Sequence, residues 1–220
     1  MDVLARLLAH PGIWRGRSLT RSDTLSSGFA ELDARLPGGG WPKVGVVEIL
    51  AMHLGSGELR LLLPLLATVT HQPQARWCTW IAPPLTPYAP ALAAGGVNLS
   101  RILVVRASKG RERAPEWAPE WATEQALICG ACDVVLAWIT QPLKPRIVRR
   151  LQLATQRGRT LAFLLRPWSS RVAQEPSHAL LRLGVEPRSN GICLSILKSR
   201  GGATGQWWLD LDAARTAAGV

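Results

Sequence analysis

Val44-Gly45-Val46-Val47-Glu48-Ile49-Leu50-Ala51-Met52-His53-Leu54-Gly55-Ser56-Gly57-Glu58-Leu59-Arg60-Leu61-Leu62-Leu63-Pro64 decides the reading of the chain. Val44 to Leu50 is a short apolar run rich in β-branched residues, the mark of a buried strand. Gly55-Ser56-Gly57 is a turn, and Glu58 to Val69 reads as an apolar helix. A strand, a glycine turn and a helix in that order invite comparison with a phosphate-binding loop, G-x-x-x-x-G-K-[ST]. Here Met52 stands at the first glycine position, Glu58 at the lysine position and Leu59 at the hydroxyl position; only Gly57 is kept. A carboxylate at Glu58 adds repulsion where a triphosphate needs neutralisation. Gly55, Ser56, Gly57 and Glu58 therefore read as a degenerate phosphate loop, with no cofactor and no magnesium-dependent ATPase.

Outward from this stretch the same alternation repeats. Thr24 to Asp33 reads as a turn into a short helix, and Pro37-Gly38-Gly39-Gly40-Trp41-Pro42 as a glycine turn. Strands are expected at Trp77–Ala82, Ile102–Arg106, Val134–Ile139 and Thr160–Leu165. Helices are expected at Tyr88–Ala94 and Glu120–Cys129 and from Pro145 onward. Three late strands complete the pattern, at Ala179–Val185, Ile192–Leu197 and Gln206–Leu211. Short apolar runs alternating with helices predict an α/β fold, a mainly parallel sheet covered on both faces. Residues 1–22, with the apolar face Leu4, Leu7 and Leu8 ahead of a basic connector, form an N-terminal helical arm before a core domain at 23–220.

The chain of 220 residues carries 26 Lys+Arg against 15 Asp+Glu, a formal charge of +11. It is 47% hydrophobic, enough to build a sizeable core. No run of 18 apolar residues suggests a membrane span, residues 1–6 do not read as a secretory signal, and four cysteines are too few for a disulfide scaffold. A cytoplasmic protein with no membrane partner is the expectation. The charge is uneven: residues 101–200 hold net +10. Between Asp133 and Glu175 there is no acid, and on a helix from Pro145, Arg146, Arg149, Arg150 and Arg157 share one arc opposite Ile147, Leu151 and Ala154. With Arg159, and with Lys198 and Arg200 after a late strand, they form the candidate DNA- or partner-binding set; a solvated helix face is the plainer alternative.

Other constellations carry less. Cys129-Gly130-Ala131-Cys132 lacks a second pair for zinc and reads as two small core residues. His10, His53, His71 and His178 have no metal spacing, and no catalytic or metal-binding set emerges. Trp80 and Trp138 read as core. Trp14, Trp41, Trp117, Trp121, Trp168 and the Trp207-Trp208 pair lie at edges or loops, where some can anchor a partner, and one of that last pair should face outward. Ala114-Pro115-Glu116-Trp117 is repeated as Ala118-Pro119-Glu120-Trp121, read as a duplication in a surface loop.

Leu25-Ser26-Ser27-Gly28-Phe29-Ala30-Glu31-Leu32-Asp33, Gly38-Gly39-Gly40-Trp41-Pro42, Val46-Val47-Glu48-Ile49 and Gly130-Ala131-Cys132-Asp133-Val134-Val135 resemble the RecA recombinase core, over roughly residues 25–200. Against that family Pro83-Pro84 replace the catalytic glutamate, Ala137-Trp138 follow the strand that should end in the metal-binding Asp, and Arg166-Pro167 replace the polar switch. The resemblance thus implies a RecA-like core stripped of catalysis, a pseudo-ATPase. Within that group His10-Pro11-Gly12-Ile13-Trp14-Arg15-Gly16, Gly57-Glu58-Leu59-Arg60, Trp80-Ile81-Ala82-Pro83-Pro84-Leu85-Thr86-Pro87-Tyr88 and Leu197-Lys198-Ser199-Arg200-Gly201-Gly202 are most similar to ImuA, a bacterial translesion-synthesis accessory family.

That resemblance implies a non-catalytic protein of SOS-induced DNA repair and mutagenesis. Its partners would be ImuB, an inactive Y-family polymerase-like protein, together with an error-prone replicative-type polymerase, RecA itself and DNA, with homo-oligomers also allowed. Leu4, Leu7, Leu8 and Trp14 would dock the partner. The rival is a SulA-type cell-division inhibitor, a related fold that sequesters the tubulin-like division protein; an active DNA-dependent ATPase is third. The glycine-rich opening turn and the basic segment favour ImuA.

Overall fold

A computed structural model describes residues 23–53, 55, 57–106, 118–189, 191–200 and 204–212. The arm expected at 1–22, with Leu4, Leu7, Leu8 and Trp14, lies outside the described residues, as do Ser56 and the first copy of the Ala-Pro-Glu-Trp repeat.

The chain runs β1 (Thr24–Leu25), α1 (Ala30–Asp33), β2 (Trp41–Pro42), β3 (Gly45–Ala51), α2 (Glu58–Thr70), β4 (Trp77–Ile81), α3 (Ala89–Ala94) and β5 (Ile102–Val105). It continues α4 (Pro119–Ile128), β6 (Cys132–Trp138), α5 (Pro145–Gly158), β7 (Leu161–Pro167), α6 (Ser170–Gln174), β8 (Leu181–Arg188), β9 (Gly191–Ser199) and β10 (Gly205–Asp210). Eight strands form one sheet in the order β10-β9-β8-β3-β7-β6-β4-β5. The six strands from β8 to β5 pair in parallel, and β9 and β10 add an antiparallel margin.

Each face of the sheet is covered. On one, α2 turns Leu61, Leu62, Leu65, Leu66 and Val69 inward at helical spacing against Val47, Ile49, Trp80 and Phe163. On the other, Leu127 of α4 and Val148, Leu151 and Ala154 of α5 meet Val46, Val135, Ala162 and Leu164. Pro64 inside α2 cannot donate a backbone hydrogen bond, and its ring packs where Gly28 passes. A Cβ on Gly28, whose φ is +82°, would lie 2.2 Å from the Pro64 Cβ, so only glycine fits that turn.

The class is α/β, but the expected RecA-like core with a degenerate phosphate loop is corrected. The sheet is mixed, and the turn before α2 is not a vacant phosphate cradle. Glu58 is fully buried, and its Oε1 accepts the Gly55 amide, taking a donor that such a loop reserves for phosphate. Trp41, expected at an edge where it could anchor a partner, is also corrected: it is fully buried, with its ring edge-on to Phe163 at 5.2 Å and 89°.

Candidate protein-interaction surface

The carboxyl ends of the parallel strands form an exposed rim. Past β3, Met52 is half-exposed. Past β4, Ala82 adopts a left-handed backbone (φ 51°), and its amide donates to the Val105 carbonyl at 2.9 Å. A non-glycine residue in that conformation is held there by its surroundings. Pro83, Pro84 and Pro87 then restrict the backbone further, and between and after them Leu85 is 75% exposed and Tyr88 71% exposed. An apolar and an aromatic side chain held in solvent on a proline-stiffened loop lose little entropy on contact with a protein.

Beneath the rim lies a charged cluster that inspection of the sequence did not single out. Glu48, in the middle of fully buried β3, accepts from Arg166 Nη1 at 2.8 Å, from Arg182 Nε and Nη2 at 2.9 Å each, and from the Ser177 hydroxyl. Both guanidiniums are almost wholly buried. Burial pushes the Glu48 carboxyl up, but the Ser177 hydrogen bond and the two arginines outweigh it and hold the carboxyl below its ordinary value. Arg182 Nη1 also donates to the carbonyls of Val172, Ala173 and Glu175, fixing α6 against the sheet. The available signal was one carboxylate inside a strand otherwise free of charge, which requires buried partners.

The arginine strip is divided. Arg146, Arg149 and Arg157 lie exposed on α5 with no carboxylate partner among the described residues, whereas Arg150 Nε pairs with Glu124 Oε1 of α4 at 2.9 Å. Arg159 is just past the helix in a left-handed conformation, its carbonyl accepting from Arg76. Lys198 and Arg200 are not part of the strip: they sit at the end of β9, and Lys198 Nζ donates to the Ser177 carbonyl. Burial, then Arg200 and Arg182, lower the Lys198 pKa. Gly55, Gly57 and Glu58 form the turn described above, in which Glu58 Oε1 accepts the Gly55 amide.

Cys132 is buried and its thiol is pushed up to about 11, first by burial, so it carries no thiolate at neutral pH. Cys129 is exposed, so the reading of the pair as two core residues holds for one of them. Trp80 and Trp138 are in the core, and Trp208 faces outward from β10. No group of His, Cys, Asp and Glu that could hold a metal occurs among the described residues, and no described helix is long and apolar enough to cross a membrane.

Among the described residues, this α/β sheet exposes an apolar rim and arginines with no carboxylate partner, both of which can act as contact surfaces. Residues 51–162, just over half of the chain, match the family described as cell division inhibitor SulA, and the chain belongs to that family. It is 32% identical over 132 residues to the cell division inhibitor SulA of Edwardsiella piscicida, a match taking in 60% of this chain and 74% of the relative. With the inhibitor of Photorhabdus laumondii it shares 33% over 120 residues, 54% of this chain and 62% of the relative. A crystal structure of SulA from Pseudomonas aeruginosa aligns with 28% identity and a TM-score of 0.44, covering 56% of this chain and 98% of the other.

These matches overturn the ImuA resemblance. The translesion-synthesis role and the ImuB, RecA and error-prone polymerase partners fall with it, as does the RecA-like pseudo-ATPase label. Membership in a family described as an inhibitor agrees with a protein that is not an enzyme.

Proposed function

We propose that this chain is a cytoplasmic inhibitor of bacterial cell division that works by binding, through the rim of Leu85, Tyr88 and Met52, the tubulin-like protein that builds the division ring. Family membership supports the inhibition, and one observation points to the rim. The most exposed large apolar side chains among the described residues, Leu85 and Tyr88, fall inside the segment that matches the family. Their exposure has no role in packing the sheet, whereas burying them against a protein removes apolar surface from water. Residues 23–220 act as the binding unit in this reading, with 1–22 as a separate arm.

Light scattering of the purified division protein in the presence of nucleotide tests this. Equimolar chain is expected to suppress polymer formation, and production of the chain in bacteria to give elongated, undivided cells. Leu85→Asp combined with Tyr88→Ala is expected to abolish both effects. Polymerisation unchanged by the wild-type chain would overturn the inhibitor reading, and a fully active double variant would overturn the rim.

A further inference from the structure

We propose that the outer faces of α4 and α5 form a second docking surface, and that it takes an acidic amphipathic helix of a protein partner. The surface is independent of the rim and of the inhibitor reading. On α4, Trp121 (44% exposed) and Ile128 (38% exposed) are seven residues apart and so line up on one face. On α5, Leu153 is 51% exposed and falls within the arc of Arg146, Arg149 and Arg157. The two faces are tied by Arg150 and Glu124: Glu124 lies between Trp121 and Ile128, and Arg150 one turn before Leu153. The result is a two-helix surface with three large apolar side chains among cations.

Charge settles what covers it. Some surface arginines elsewhere have carboxylates at hand, Arg35 with Glu31, Arg60 with Asp212, Arg171 with Glu175 and Arg188 with Glu186, whereas Arg101, Arg106 and Arg200 pair with no described carboxylate. Among the described residues Glu124 is the one carboxylate paired with an arginine of α5, and Arg150 takes it. Among the described residues Arg146, Arg149 and Arg157 thus have no carboxylate partner and can offer their donor forks to carboxylates, which guanidinium binds in a planar two-point geometry that lysine does not offer. Arginine and large aromatic or aliphatic side chains together are the composition of a protein-interface core. A nucleic acid fits less well. Three free arginines spread over about 16 Å of helix are fewer than the six to ten phosphate contacts of a typical duplex binder. A phosphate backbone also leaves Leu153 and Ile128 uncovered.

The probe is a fluorescein-labelled 18-residue peptide with leucines at helical i, i+3, i+4 and i+7 positions and glutamates elsewhere. Its anisotropy is followed on titration with the full chain. Saturable binding is expected, weakening at least tenfold with Leu153→Ser and at least tenfold with the Arg149→Glu, Arg157→Glu pair, and weakening with added salt. All these side chains are exposed, so thermal melts should match wild type. A scrambled peptide of equal charge should bind at least tenfold more weakly. No binding, or equal binding of the scrambled peptide, would overturn the proposal. So would tighter binding of a single- or double-stranded DNA oligonucleotide lost in the same variants. If Leu153→Ser instead converts a sedimenting dimer to a monomer, the occupant is a second copy and the proposal fails.

Discussion

The two ends of the parallel strands are built oppositely. At the amino ends Arg76 closes the structure. Its amide and Nε donate to Asp133 at 2.7 Å each, Nη1 reaches the carbonyls of Gly130 at 2.7 Å and Gly158 at 2.9 Å, and Nη2 the Arg159 carbonyl at 2.8 Å. Those carbonyls end α4 and α5, where the helix dipoles gather negative potential and chain groups lack helical partners. One side chain therefore caps two helices and anchors two strands. At the carboxyl ends Leu85 and Tyr88 are left in water. The difference separates two tasks: the amino ends and the buried Glu48 cluster hold the fold, and the carboxyl ends are free to vary with a partner.

Removing Glu48 is expected to have the largest effect. Glu48→Ala leaves Arg166 and Arg182 buried with no counter-charge, which should cost about 3–5 kcal/mol of unfolding free energy in urea titrations. The same group predicts an acid limit. Its folded-state pKa lies below the ordinary 4.5. The cluster's contribution is then complete above that value and is lost as pH falls through the folded pKa. Stability measured below pH 4.5 should drop, and Glu48→Gln, while less stable at neutral pH, should flatten that part of the profile. Next in size is Arg76→Ala, expected to cost about 2 kcal/mol for the lost charge-assisted bonds. Arg76→Lys should recover only part, since one ammonium cannot reach Asp133, Gly130, Gly158 and Arg159 together. A loss under 0.5 kcal/mol in Arg76→Ala would show that the amino ends are not held as described.

Much of the fold was legible because apolar runs and their breaks are local. The strand expected at Val44–Leu50 is found at Gly45–Ala51, and the helix expected from Pro145 ends at Gly158. What failed depends on contacts far apart in the chain. In the sequence Glu48 looks like one more residue of the strand run Val46-Val47-Glu48-Ile49 until Arg166 and Arg182 are seen beside it, 118 and 134 positions away. Trp41 in a glycine-rich turn looks like an edge residue, yet it packs on Phe163 in the distant β7. The family assignment went astray for a related reason. Many of the residues resembling RecA, such as Phe29, Leu32 and Val46-Val47, are buried and specify how a sheet is packed. Packing residues say little about which protein is bound. Leu85 and Tyr88 lie inside the stretch that resembles ImuA, and their exposure is visible only once the end of β4 is placed.

The smallest stability effect expected is at the rim itself, and it sharpens the contrast most. Leu85 and Tyr88 make no contact that the sheet depends on, so Leu85→Asp and Tyr88→Ala should each shift unfolding free energy by less than about 0.5 kcal/mol. If the rim is where a partner docks, the same substitutions should remove inhibition of polymer formation while urea midpoints stay at the wild-type value. Arg76→Ala should do the reverse, lowering the midpoint while the folded fraction still inhibits. If instead the rim variants lose stability in proportion to inhibition, Leu85 and Tyr88 belong to the packing. The two ends of the sheet would then not be divided between holding the fold and meeting a partner.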